Sequence, residues 1–269
     1  MSHNESQIPG KGPSIFAFSD KDAREAALRD AIEAEKIDVL FQPQVDAFTG
    51  KIVGAEALAR CSHPKLGELG ADELFAMARS ADLIPALSRQ VMDKSLILAR
   101  DWRDDLRLSI NVSPVELESP RFEAKFAKLM SKTGFPVDRL VIEITEDQPL
   151  SDLHAAAEFL GRLRSSGIGI ALDDFGAGYC NFNYLKRLPV DTIKLDRSII
   201  SGIVENSRDL VIMRSITSLA KALDLIVVAE GIETEAQRKI ATEEGCAYLQ
   251  GFLIAEPTDS RTLQELAAA

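Results

Sequence analysis

Asp173 and Asp174 stand side by side at the end of the apolar run IGIALDD, and the glycine-bearing stretch FGAGYCNF follows at once. Adjacent ionised carboxylates repel, and holding both at the edge of a core is costly unless water dilutes the charge or a cation removes it. Polar residues interrupt other β-branched runs in the same way: Glu56 in IVGAEAL, Asn111 in LRLSINV, Glu143 in LVIEIT, Lys194 in TIKLD and Glu230 in IVVAE. Oxygen donors with no Cys or His among them suit hard cations such as Mg²⁺ or Mn²⁺. Two such ions bridged by Asp173 and Asp174 would clamp a phosphoryl group during in-line displacement by a metal-bound water. The chemistry these residue types favour is two-metal phosphoester hydrolysis.

Such a set works only if the fold brings it to one place. Side chains alternate across a strand, so parity assigns faces. Leu140, Ile142 and Ile144 share the face that packs on helices, which turns Glu143 the other way. The same parity sends Glu56, Asn111, Asp173, Lys194, Asp196 and Glu230 inward, each late in its run, with Gln250 near the end of the last one. In a barrel of parallel strands the C-terminal strand ends form the catalytic face, so these residues converge on one mouth.

The runs DVLFQPQV, KIVGAEALA, LRLSINVS, LVIEIT, IGIALDD, DTIKLD, LIVVAE and AYLQGF alternate with helical patterns at roughly 72–81, 85–103, 121–133, 151–166, 181–187, 206–223 and 233–244. Near-continuous apolar strands separated by helices indicate parallel strands buried on both faces. The expected fold is α/β, a closed TIM-like (β/α)8 barrel. An open doubly wound sheet is the alternative, but no phosphate-binding glycine fingerprint follows an early strand. Residues 1–18 are polar and read as a flexible leader; 19–269 read as one domain, opening on a helix with Ser19 as its N-cap.

At 269 residues, 46% hydrophobic and 27% charged, the chain has material for a sizeable core. A net charge of -11 argues against general nucleic-acid binding, which needs basic surface. Cys61, Cys180 and Cys246 form no CxxC pair, and His3, His63 and His154 are isolated, so neither a disulfide framework nor a histidine-rich zinc site is expected. No run approaches membrane-spanning length and the first residues lack a signal-peptide core, which gives a soluble, cytoplasmic reading.

The stretches FQPQVD, GAEALAR, INVSP, IEITED, LDDFGAGY, LPVDTIKLD, VVAEGIET and LQGFL follow one another in the order and spacing of EAL domains. The chain thus resembles, from about Ala27 to Pro257, the bacterial phosphodiesterases that hydrolyse cyclic di-GMP to linear pGpG. The resemblance implies a modified barrel whose first strand runs antiparallel. It matches Glu56, Asn111, Glu143 and Asp173 to the ligands of one metal, and Asp173, Asp174 and Glu230 to those around a second. Lys194 matches the lysine that holds the attacking water, and Glu230 is either general base or metal ligand. Arg60 matches an arginine on a substrate phosphate, where a planar fork suits the geometry. Gln42, Gln250, Asp196 and Glu233 line the substrate site in similar proteins, and Glu146 anchors the loop after the aspartate pair. Mg²⁺ or Mn²⁺, two per site, would be the cofactor, with Ca²⁺ inhibitory. A homodimer is implied, as is room for sensory or cyclase domains in a longer protein.

Three departures stand out: Cys61 follows the EAL arginine in place of a bulky residue, Ala177 replaces a threonine, and Arg79 stands where a glutamate is usual. None removes a ligand. Plainer roles remain open: Lys194 as a neutraliser of the acidic mouth, Arg60 as a packing arginine, and Glu146 and Glu233 as acids at helix N-termini. The cysteines read as packing residues, and Trp102 as a helix residue on the core. A silent module that binds cyclic di-GMP or a protein is the competing function, and a metal-dependent barrel enzyme acting on a carboxylate is a remoter one.

Overall fold

The computed structural model describes residues 15–119, 121–145, 150–177 and 182–269. Nine strands occur among them: β1 Asp38–Asp46, β2 Ile52–His63, β3 Gly67–Leu69, β4 Arg107–Asn111, β5 Leu140–Thr145, β6 Gly169–Phe175, β7 Thr192–Leu195, β8 Ile226–Ala229 and β9 Tyr248–Gln250. All except β3 close into a barrel in the order β1-β2-β4-β5-β6-β7-β8-β9, and β9 pairs back onto β1. The short β3 hangs on the far end of β2. From β2 through β4 to β9 the barrel pairs are parallel, whereas β1 is antiparallel to both of its neighbours. The cause is the link between β1 and β2. It runs only from Ala47 to Lys51, long enough for a hairpin and far too short for a parallel crossover.

Helices supply the outer layer: α1 Ile15–Glu33, α2 Ala71–Ser80, α3 Ile84–Ala99, α4 Pro114–Leu117, α5 Phe122–Thr133, α6 Leu153–Ser165, α7 Phe182–Arg187, α8 Arg197–Gly202, α9 Ser207–Ala222, α10 Glu235–Glu243 and α11 Ser260–Ala268. Helix α1 already runs at Ser19, so that residue lies inside it and is not its cap; the apolar sequence IFAF continues the helix backward, and serine is tolerated there. Between strands and helices lie Leu108, Ile110, Leu140, Ile142, Ile144, Ile170, Leu172, Ile193 and Leu195, all buried. These are the residues that parity places outward. Trp102 is buried too, but just beyond the end of α3. Its ring meets Phe41 edge-on at 4.9 Å and its Nε1 donates to Ser260 Oγ at 2.8 Å, tying α11 to the barrel wall. No helix among the described residues is long and apolar enough to cross a membrane.

The β8–α10 connection, which borders the mouth, is fixed by a reciprocal cap. Thr234 Oγ1 accepts from Gln237 N, while Gln237 Oε1 accepts from Thr234 N at 3.0 Å and Glu233 N at 2.8 Å. Thr234→Ala should lower stability by about 1 kcal/mol, read as a shift of the urea midpoint with unchanged slope.

Candidate active site

Strand register explains how distant residues reach one level. Gln42 pairs with Glu56, Gln44 with Gln250, Glu56 with Ser109, Asn111 with Glu143, and Thr145 with Asp173. Inside the barrel, Lys194 is the hub. Its Nζ lies 2.7 Å from Glu230, 2.8 Å from Glu143, 3.1 Å from Asp173 and 3.2 Å from Glu56. Lys194 and Glu143 are each 1% exposed and sit beneath the mouth, while Glu56, Asn111, Asp173, Asp174 and Glu230 line the mouth itself. The cavity above them has a volume near 870 Å³, and Gln42, Arg60, Asp196, Glu233 and Gln250 also line it.

Alternation alone would put Asp174 on the opposite face from Asp173. The structure places both on the mouth because Asp174 adopts φ 56°, a left-handed conformation that aspartate tolerates better than most residues. The β6–β7 register shifts between Leu172 and Phe175 at the same point. Asp173 Oδ1 accepts the Asp174 amide at 2.9 Å, and Asp174 Oδ2 accepts the Thr145 hydroxyl at 3.1 Å.

A chain of amides holds Glu56. Its Oε1 accepts from Asn111 Nδ2 at 2.8 Å, and its Oε2 accepts from Gln250 Nε2 at 2.7 Å. Gln250 Nε2 also donates to Gln42, and Gln44 donates to Gln250 Oε1. Gly251 permits this placement. A Cβ there would lie 2.2 Å from Ile232 O, the backbone against which the β9 end packs.

Charge here is poorly balanced. Burial pushes the Glu143 and Glu230 carboxyls well above their ordinary value, and Asp173 above its own, even though Lys194 pulls each of them down. Glu56 alone ends below the usual value: burial raises it, but Lys194, Gln250 and Asn111 together outweigh that. Burial pulls the Lys194 ammonium down, yet its acids outweigh burial and hold it well above its usual value. One ammonium against Glu56, Glu143, Asp173 and Glu230 leaves three negative charges when all are ionised. Added cations would remove that deficit. Glu56, Glu143 and Asp173 each offer an oxygen within 4.8 Å of the others, and so do Asp173, Asp174 and Glu230. An all-oxygen donor set of this kind fits hard divalent ions.

The remaining expected residues have additional structural duties. Arg60 shares its strand face with Glu56; burial lowers its pKa, partly offset by Asp72 and Glu56, and its Nη1 donates to Ala59 O. Asp196 caps α8 by accepting the Ser198 amide at 2.9 Å. Glu233 pairs with Arg197 at 2.7 Å across the rim. Glu146 lies outside the described residues, as do Gly178, Tyr179 and Cys180 of the loop after the aspartate pair. Cys61 and Cys246 are buried, and burial pushes both thiols up, Cys246 to about 12, which suits packing and not nucleophilic chemistry. Phe75, Arg79, Ser88, Arg197 and Phe252 also line the mouth. The sequence had marked Arg79 only as a departure from the family pattern, and the other four were missed; for Arg197 its place beside Asp196 was the available signal.

The family described as EAL domain matches residues 25–257. The chain is 37% identical over 250 residues to an uncharacterised Mycobacterium tuberculosis protein, Rv1354c, covering 91% of this chain and 40% of that one. It is 35% identical over 243 residues to the Pseudomonas aeruginosa cyclic di-GMP phosphodiesterase PA2567, covering 89% and 41%. It thus spans about two fifths of the length of these curated relatives. Among solved structures, the Pseudomonas aeruginosa MucR phosphodiesterase in complex with c-di-GMP superposes with a TM-score of 0.83 at 33% identity, covering 88% of this chain and 98% of that one.

Proposed function

The chain belongs to the EAL domain family, and from that membership and the acidic mouth we propose that it is a divalent-metal-dependent phosphodiesterase converting cyclic di-GMP to linear 5'-pGpG. The observation that carries this reading is the uninterrupted ring of carboxylates around Lys194. Glu56, Asn111, Glu143 and Asp173 would hold one ion, and Asp173, Asp174 and Glu230 a second. Two divalent ions supply charge neutralisation at the phosphate and acidify the attacking water.

The side chains divide the remaining work. Arg60 contacts a non-bridging phosphate oxygen with its guanidinium fork. Gln42 and Gln250, already locked to one another and to Glu56, set the depth of the sugar-phosphate ring. Asp196 and Glu233 shape the opposite rim, each fixed by a contact to its own helix or to Arg197. Lys194 donates a hydrogen bond to the attacking water once the charge of its acids is otherwise met. Glu230 accepts the water's proton at its carboxylate, whose pKa burial raises above the ordinary value. The same reading expects a homodimer, which light scattering checks, and Mg²⁺ or Mn²⁺ as the metal.

Incubation of the purified chain with cyclic di-GMP, followed by chromatography, tests the proposal. Linear pGpG should form with Mg²⁺ or Mn²⁺ and be absent with EDTA or Ca²⁺. Intact substrate under every condition would overturn hydrolysis and leave a binding module.

A further inference from the structure

The proposed chemistry leaves one part of the cavity unused. The mouth reaches α2 and α3, where Phe75 and Arg79 of α2 and Ile84, Ser88 and Val91 of α3 line it; this part is called the slot below. Residues spaced by three or four share a helix face, so each side of the slot is one continuous wall. Phe75, Ile84 and Val91 make the walls largely apolar. One charged group, Arg79, opens onto them. Arg79 is exposed and forms no ion pair among the described residues. Ser88 is 3% exposed, and its hydroxyl lies beside the Glu116 carboxyl, which it helps to hold down against burial.

Apolar side chains beside a planar donor match a nucleobase. A guanidinium fork only donates, and guanine offers two acceptors, O6 and N7, on one edge. Adenine puts an amine donor beside N7 and repels half of the fork. The cavity volume, near 870 Å³, leaves room for a base beyond the phosphate over the carboxylates. We propose that this slot seats one guanine of the substrate, with Arg79 donating to O6 and N7 while Phe75 packs on the base face. Arg79 is therefore a specificity-determining residue, distinct from the phosphate-contacting Arg60. The inference rests on the cyclic di-GMP reading above. A plainer role exists, since Arg79 sits in the last turn of α2, where a cation favours the helix dipole without any ligand.

Titration calorimetry in Ca²⁺ separates these roles, using wild type, R79A and R79K with cyclic di-GMP, cyclic di-IMP and cyclic di-AMP. Inosine keeps O6 and N7 but lacks the guanine amine. Wild type should bind cyclic di-IMP nearly as tightly as cyclic di-GMP, and cyclic di-AMP at least about tenfold more weakly. R79A should weaken both O6-bearing ligands by about tenfold to a hundredfold while changing cyclic di-AMP little. R79K keeps the charge but cannot fork, and should resemble R79A. An unchanged dissociation constant in R79A would overturn the proposal, and so would an equal loss for all three ligands, which would move the contact to a phosphate. Selective binding without turnover in Mg²⁺ would sink hydrolysis and spare the slot. No binding of any ligand by wild type would remove both.

Discussion

Glu56→Ala should reduce turnover of cyclic di-GMP by at least about a hundredfold to a thousandfold while leaving part of the substrate affinity intact. Glu56 is the one acid of the cluster that the fold keeps below its ordinary pKa, because Lys194, Gln250 and Asn111 all donate to it. Truncation removes a ligand from the Glu56–Glu143–Asp173 group and leaves the Asn111 and Gln250 amides without their acceptor. Both effects fall on the placement of the phosphate, whereas Arg60 and the rest of the cavity remain to bind substrate. Glu56→Gln separates the causes. It keeps an acceptor for the amides but loses the charge, so it should be as inactive as the alanine variant if cation binding is what Glu56 supplies. Raising Mg²⁺ or Mn²⁺ should recover some activity in either variant, visible as a right-shifted metal titration. Turnover near wild type in Glu56→Ala would refute the ligand assignment.

The mouth was legible to the extent that alternation governs it. Glu143, Asn111 and Asp173 fall on the inner face because Leu140, Ile110 and Leu172 must face the helices, and a one-residue slip would expose every one of those side chains. Asp174 breaks the rule through a left-handed residue and a register shift, which no alternation pattern encodes. The antiparallel β1 followed from family resemblance, yet its physical signal was present: the Ala47–Lys51 link cannot span a parallel crossover. Short elements such as β3, α4 and α8 escaped because too few residues repeat to show a period. The place of Arg79 and Phe75 in the cavity wall escaped for a different reason. Their spacing on α2 is visible in the sequence, but only the packing of α2 beside α3 turns that face into a cavity wall.

Parity also hid a vertical distinction that bears on mechanism. Asp173 and Glu230 line the open mouth, whereas Lys194 and Glu143 lie below it, facing a cavity of only 30 Å³ within the barrel. The ammonium is thus placed first as the counter-ion of the acids. Its proposed contact with water depends on other cations taking over that duty, which makes Lys194 the residue where folding and chemistry are most tightly joined.

Lys194→Met tests that joint role. The substitution is close in length and apolar, so the space is filled while the charge is lost. In EDTA the variant retains Glu56, Glu143, Asp173 and Glu230 around a site with no cation, and breaking a buried ion cluster from one side costs about 3–5 kcal/mol. Its unfolding midpoint should fall accordingly. Divalent ions should then stabilise the variant more than they stabilise wild type, because the missing positive charge no longer opposes their binding; the gain grows with the logarithm of metal concentration over its dissociation constant. Turnover should remain about a hundredfold to ten-thousandfold below wild type even at saturating metal, since charge is restored but the donor to the attacking water is not. Thermal unfolding across a metal titration reads the first effect, and saturated turnover reads the second. An EDTA-treated variant as stable as wild type would mean that Lys194 does not hold the acids together. Full activity at saturating metal would mean that the ammonium is a counter-ion and nothing more, and the water would need another partner.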